Sequence, residues 1–283
     1  MLRQHLEERV SFGGAQHGAA PNGTSLKRQS EGASPMWQHR HMDSTDFLAA
    51  LARDGAAFAD ACEAAGLDAT VASCPGWSVS DLVWHLAEVH HFWRSIVSDQ
   101  RDTWEGYEQP ARPAETDLLV FYREGLGLTL AVLAAADPVQ PNWTWSNDHS
   151  AGFVIRRMAH ETAVHRWDAQ QAAGREVAID AALASDGIDE FLTHMLGDGL
   201  ADAAPVVGSV HLHCTDVGGE WTVRPSEMHG FDIAREHAKG DAAIRGAAND
   251  ILLVLWRRRG MATVEVIGDA AVAARFVALS SLE

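Results

Sequence analysis

From Met42 onward, apolar residues recur at three- and four-residue intervals, the spacing of one helical face. Phe47, Leu48, Leu51, Phe58 and Cys62 form such a stripe, so a helix is expected from a Ser44 or Thr45 cap to about Ala65, closed by Gly66. Cys74-Pro75-Gly76-Trp77 reads as a turn. Ser78, with Asp81 three residues on, is the signature of a capping box opening a second helix that runs to about Val97. A third helix is predicted over about Thr116 to Ala136, despite Gly125 and Gly127. A fourth runs from about Phe153 to Ala173 and stops at Gly174, and a fifth spans Asp180 to Leu196. The loops between them include a Trp-, Gly- and Pro-rich stretch, Asp99 to Pro113, and a polar one, Pro138 to Ser150, holding Trp143 and Trp145. Residues 42–198 therefore read as an antiparallel helix bundle.

Beyond Gly197 the period changes. Val210-His211-Leu212-His213-Cys214 alternates, with the two histidines on the face opposite Val210, Leu212 and Cys214. That histidine face is expected to be solvated. A turn over Asp216 to Gly219 leads to a second strand, Glu220 to Arg224. A helix over Ala242 to Leu255, a strand over Thr263 to Ile267 and a helix over Ala270 to Leu279 complete a small α+β domain, residues 199–283. Residues 1–41 differ: Gly13 to Pro35 is rich in Gly, Ala, Ser and Asn without periodicity, and reads either as a disordered leader or as an artefact ahead of a natural start at Met42.

A formal net charge of −17 repels phosphate backbones and argues against nucleic acid as a partner. No uninterrupted apolar run approaches the ~18 residues of a membrane span. Residues 1–41 hold no apolar segment of the kind an export signal needs, which points to the cytoplasm. Cys62, Cys74 and Cys214 are odd in number and far apart, which suits a reducing compartment better than a disulfide framework. Cys74, just before Pro75-Gly76, reads as a packed turn residue rather than a nucleophile.

The fourth helix contains His160-Glu161-Thr162-Ala163-Val164-His165. His160 and His165 project about 140° apart around a helix, so one ion cannot take both. Glu161 and His165 are four apart and share a face, giving two usable ligands one turn from each other. A third has to come from elsewhere. His85, among Leu82, Leu86 and Val89 on the second helix, points to the bundle interior. A lone histidine on an apolar face is commonly a satisfied core residue, but bundle cores also build metal sites from inward His and Glu on facing helices. Two imidazoles and a carboxylate would leave a fourth tetrahedral position open, the arrangement of catalytic zinc. Asp168, three residues after His165, is placed to accept a hydrogen bond from its second ring nitrogen, with a surface ion pair as the competing reading. Nickel, iron and manganese also accept such ligands.

The segments Cys74-Pro75-Gly76-Trp77-Ser78-Val79-Ser80-Asp81-Leu82-Val83-Trp84-His85-Leu86-Ala87 and His160-Glu161-Thr162-Ala163-Val164-His165-Arg166-Trp167-Asp168-Ala169 resemble two blocks of the mycothiol-dependent maleylpyruvate isomerase family, within the DinB-like superfamily of four-helix bundles. The resemblance covers about residues 43–283. It implies a DinB-like up-down bundle followed by a small sterol-carrier-like α+β domain, and a zinc ion held by His85, Glu161 and His165. Mycothiol is the implied cosubstrate. The family's prototype reaction turns maleylpyruvate into fumarylpyruvate: a metal-activated thiolate adds to the cis alkene, the new single bond rotates, and the thiol leaves. In the family's second domain a block reading Leu-Leu-Trp-Leu, a variable residue, Gly, Arg resembles Ile251 to Arg259 here, with Arg258 at the arginine that assists the active site. An arginine there could clamp a substrate carboxylate, or simply favour the helix C-terminus. An Arg in the usual glycine position and a third Arg after it leave open which of Arg257, Arg258 and Arg259 reaches the site.

The expected function is a metal-dependent mycothiol isomerase or thiol transferase acting on a small electrophile. A non-catalytic metal- or ligand-binding protein is the alternative, signalled by a fourth protein ligand such as His160 or Glu88 closing the metal site. A hydrolase using metal-bound hydroxide would need a general base that the sequence does not nominate.

Overall fold

The computed structural model describes residues 42–196, 208–226 and 230–279. The leader over residues 1–41 and the boundary at 198/199 lie outside these. Five helices come first: α1 (Ser44–Ala65), α2 (Val79–Ser98), α3 (Leu118–Ala135), α4 (Ala151–Ala172) and α5 (Ala181–His194). A sheet domain follows, with strands β1 (Val210–Cys214), β2 (Glu220–Ser226), β3 (Gly230–Ala234), β4 (Ala242–Gly246) and β5 (Glu265–Gly268), and helices α6 (Ala248–Leu255) and α7 (Ala270–Leu279).

Helix α1 packs along α4, and α2 lies against both α3 and α4, so α1 to α4 form the bundle. Its core is aromatic and aliphatic, with Phe58, Phe92, Tyr122, Leu51, Leu82, Leu86 and Ile155 essentially inaccessible. Ser78 and Asp81 form the reciprocal capping box that the sequence foretells: the Asp81 N–H donates to Ser78 Oγ (3.2 Å) and the Ser78 N–H to Asp81 Oδ2 (3.0 Å). At α1 the cap is Asp43, one residue earlier than expected. Asp43 Oδ1 accepts from the N–H groups of Thr45 and Asp46, and a carboxylate at an N-cap also complements the helix dipole.

Together with the short turn before it, α3 has the length and composition of a membrane span (Glu115–Ala135, mean hydropathy 1.6), although its longest uninterrupted apolar run falls well short of one. Arg123 interrupts it and reaches across to Asp60 and Glu63 of α1. Val120 and Leu128 remain more than half exposed.

The sheet order is β3-β2-β1-β4-β5, with β1 and β4 parallel and the other pairs antiparallel. Residues 242–246, expected to be helical, form β4. Their alanines carry local helix propensity, but parallel pairing with β1 buries Ala242 and Ile244 completely and overrides it. Helix α6 then starts at Ala248, packs on β1 and β4, and joins the bundle through α5. Further links tie the two domains. The Trp221 indole donates to Asp189 Oδ1 (2.9 Å), Arg235 pairs with Asp189, and the Ile179 N–H donates to Asn249 Oδ1 (2.8 Å).

Candidate metal centre

The cap at Ser78 fixes the start of α2, and two turns later His85 faces α4. On α4, Glu161 and His165 lie one turn apart on the face turned to α2. Three donor atoms converge there. Glu161 Oε1 is 3.3 Å from His85 Nε2 and 3.1 Å from His165 Nε2, and the two imidazole centroids are 5.0 Å apart, edge to face. The Trp77 ring covers His85, with centroids 5.0 Å apart.

The outer atoms of His165 and Glu161 are engaged in the way metal ligands usually are, while His85 Nδ1 is buried with no hydrogen-bond partner. His165 Nδ1 and Asp168 Oδ2 are 2.9 Å apart; an N–H there leaves the lone pair on Nε2, facing Glu161. The other oxygen of Glu161, Oε2, accepts from Arg157, whose second arm is held by Glu190 of α5. Arg157 stands four residues before Glu161, an i,i+4 spacing that is already visible in the sequence. Asp168 is completely buried. It also accepts from Ser73 Oγ (2.6 Å) and from a two-pronged Arg258, Nε at 3.2 Å and Nη2 at 3.1 Å.

Burial alone would push the Glu161 carboxyl up, but Arg157 and the two imidazoles outweigh it and hold the group well below the usual carboxylate range. Burial pushes His85 down, only partly offset by Glu161. It would also lower His165, yet the hydrogen bonds to Asp168 and Glu161 prevail and raise its imidazole to about 9. His85 Nε2, Glu161 Oε1 and His165 Nε2 thus face one another at a place where a divalent cation would find three oriented donors.

Arg258 is the one of the three consecutive arginines that reaches this region. Arg257 turns away to the Ala278 carbonyl, and Arg259 binds Asp250 and Glu176. The turn that aims Arg258 is a Schellman motif at the end of α6: the Arg257 N–H donates to the Val254 carbonyl (3.0 Å) and the Arg258 N–H to that of Leu253 (2.7 Å). Arg257 takes the left-handed residue of the motif, φ 55°. Where the sequence suggested a clamp for a substrate carboxylate, the guanidinium instead grips the internal carboxylate of Asp168, and its Nη1 donates to the Trp256 carbonyl (3.0 Å). Its path to the site therefore runs through Asp168 and His165.

Neither group named as a possible fourth ligand closes the site. His160 turns to Asp186 Oδ1 (2.8 Å), and Glu88 is buried without joining the cluster. Cys74 Sγ lies 3.9 Å from Asp168 Oδ2. Burial and then Asp168 push its thiol up to about 11, which makes it inert near neutral pH. Cys74, His165 and Asp168 also cluster closely enough for a cation, but the Arg258 guanidinium, 3.1 Å from Asp168, opposes positive charge there.

A four-helix bundle that brings two imidazoles and a carboxylate together from facing helices is joined to a five-stranded α+β domain whose Arg258 reaches the same cluster. Sequence models describe the halves separately: the mycothiol maleylpyruvate isomerase N-terminal domain matches residues 48–170, and the MDMPI C-terminal domain matches residues 182–275. The chain belongs to the mycothiol-dependent maleylpyruvate isomerase family, as the two sequence blocks indicated. Its fold is similar to the crystal structure of the mycothiol-dependent maleylpyruvate isomerase, with TM-score 0.54 and 11% identity over 80% of this chain and 93% of that one. A mutant of that enzyme with one histidine replaced by alanine gives the same figures. No curated protein matches the chain in sequence.

Proposed function

We propose that the protein is a mycothiol-dependent enzyme of this family that isomerises, or transfers a thiol to, a small electrophilic substrate at a divalent metal, zinc being the ion the ligands suit best. The observation that carries this reading is the convergence of His85 Nε2, His165 Nε2 and Glu161 Oε1 on one point, with the remaining atoms of His165 and Glu161 held by Asp168 and Arg157. His85, Glu161 and His165 would hold the ion, and two neutral imidazoles with one carboxylate suit zinc. A zinc ion there supplies Lewis acidity that keeps a bound thiol deprotonated near neutral pH.

The protein's own groups do the rest. Asp168 fixes the His165 ring so that Nε2 faces the site. Arg157 keeps one Glu161 oxygen turned away and the other turned in. Arg258 anchors Asp168 and acts as a positioning residue. With three protein ligands the coordination shell stays incomplete, which favours an enzyme over a closed structural site.

Metal content of the purified protein, measured by mass spectrometry beside His85→Ala and His165→Ala, tests the ligand set. The parent is expected to hold one zinc per chain more than either variant, and to isomerise maleylpyruvate only when mycothiol is supplied. A parent that keeps the same zinc in both variants, or one that gains none when zinc is added, overturns the proposal.

A further inference from the structure

The alternating pattern of β1 puts His211 and His213 on the sheet face opposite Val210, Leu212 and Cys214, and the strand register decides what they meet. His213 stands directly across from Glu220 on β2, and His211 across from Thr222. Thr222 is fully buried and its Oγ1 donates to the Glu236 carbonyl (3.1 Å), which pins the chain after β3 over this face. The next residue, His237, is thereby brought over the two strand histidines. Its ring centroid is 4.9 Å from that of His211 and 6.5 Å from that of His213.

The side chains point inward to a common centre. Glu220 Oε1 lies 2.7 Å from His213 Nδ1, and Glu220 Oε2 lies 2.6 Å from His237 Nδ1. His211 Nε2 is 3.4 Å from Glu220 Oε2 without hydrogen-bond geometry. It is a buried nitrogen with no hydrogen-bond partner, on a side chain only 9% exposed. One donor atom from each of the four residues lies within 4.8 Å of every other. Tetrahedral zinc with bonds of about 2.0–2.1 Å needs its ligand atoms roughly 3.3 Å apart, so small rotations of these side chains suffice. Burying an imidazole nitrogen with nothing to bind it is unfavourable, and an ion at the centre gives that nitrogen a partner.

We propose that His211, His213, Glu220 and His237 form a second divalent-metal site, on the sheet domain and separate from the bundle centre. Three imidazoles and one carboxylate select zinc, copper or nickel over the oxygen-seeking magnesium and calcium. Four protein ligands complete a tetrahedron, so this ion has no open position for substrate. It fastens the segment after β3 to β1 and β2. His213, Glu220 and His237 form one wall of a cavity of about 400 Å³ that Cys214, Gly218 and Arg235 also line, which gives an ion a way in from solvent.

The test uses the full chain carrying His165→Ala, so that it does not depend on the bundle site. Metal-free protein is titrated with cobalt(II), whose tetrahedral nitrogen and oxygen complexes absorb in the visible, and bound zinc is counted after desalting. His165→Ala is expected to bind one zinc per chain, to show the cobalt band and to unfold at a higher temperature with zinc than without. All three effects are expected to vanish in His165→Ala/His213→Ala and in His165→Ala/His237→Ala. The second pair guards against misfolding, because the His237 side chain is 74% exposed and contributes little to the core. His165→Ala that takes up no metal, or metal that persists in both double variants, overturns the proposal. A parent with one zinc that His165→Ala loses would refute the sheet site and leave the bundle site standing. One zinc in both parent and His165→Ala would refute the bundle site instead.

Discussion

Replacing Asp168 with asparagine removes one negative charge and almost no volume. In the native protein this fully buried carboxylate accepts from Arg258 twice, from Ser73 and from His165. The variant strands the Arg258 guanidinium, only 12% exposed, without its counter-charge. Breaking a buried pair from one side costs about 3–5 kcal/mol. At roughly 2–4 °C per kcal/mol for a domain of this size, Tm should fall by about 6–20 °C. Asparagine also ceases to orient His165 through a charged acceptor, and losing such an outer partner weakens metal binding about 10–100-fold. The two effects separate in a cycle with Arg258→Met. Removing both charges should recover much of the stability lost in either single variant, because neither charge is then buried alone. It should not restore zinc affinity, because His165 is still unsupported. Thermal unfolding of the metal-free proteins and zinc competition titrations read the two quantities. A drop in Tm under about 2 °C for Asp168→Asn, or zinc affinity that returns fully in the double variant, would refute the reasoning.

Three further outcomes are expected. His165, raised to about 9 when metal-free, is protonated at neutral pH, so zinc has to displace that proton. Zinc binding should release a proton below pH 9 and weaken as pH falls, which calorimetry in buffers of different ionisation enthalpy measures; because the folded value lies above the unfolded one, metal-free stability from this group is full below about pH 6.5 and is lost as pH rises through 9. The thiols of Cys62, Cys74 and Cys214 are raised to about 12, 11 and 12, so iodoacetamide at pH 7.5 should leave the native protein largely unlabelled and modify all three after denaturation, and Cys74→Ser should keep zinc content and mycothiol-dependent turnover. Arg257→Gly should raise stability by about 1 kcal/mol, since the left-handed backbone there costs an L-residue roughly that much and glycine little. A Tm that falls in this variant would show that Arg257 holds more through its side chain than it loses through its backbone.

The helices were legible because their signals are local. The Ser78–Asp81 box, the stop at Gly174 and the i,i+4 pair of Glu161 and His165 all lie within one turn of chain. The cap at Asp43 was missed because Ser44 and Thr45, beside it, are equally good cap residues and only the three-dimensional entry of the chain decides among them. The sheet was harder. Residues 242–246 are strand because a partner 32 positions earlier pairs with them, and nothing within the segment says so. Strand β3, five residues long, carries too short a pattern to be noticed. The bundle site shows the same divide. Asp168 is visible three residues from His165, but the arginine that secures it lies 90 residues away. Alternation alone predicts a solvated histidine face on β1, because it gives no hint that the chain near His237 folds over it.

The link from Arg258 through Asp168 to His165 crosses the boundary between the sheet domain and the bundle, and this makes the boundary part of the chemistry. How firmly the second domain sits on the first and how tightly the proposed ion would be held become two readings of one free energy. Any factor by which docking tightens metal binding is, by thermodynamic necessity, the factor by which metal tightens docking. A bundle separated from its partner would keep His85, Glu161 and His165 and lose the arginine that orders one of them, so the proposed metal centre belongs to the whole chain and to neither domain alone.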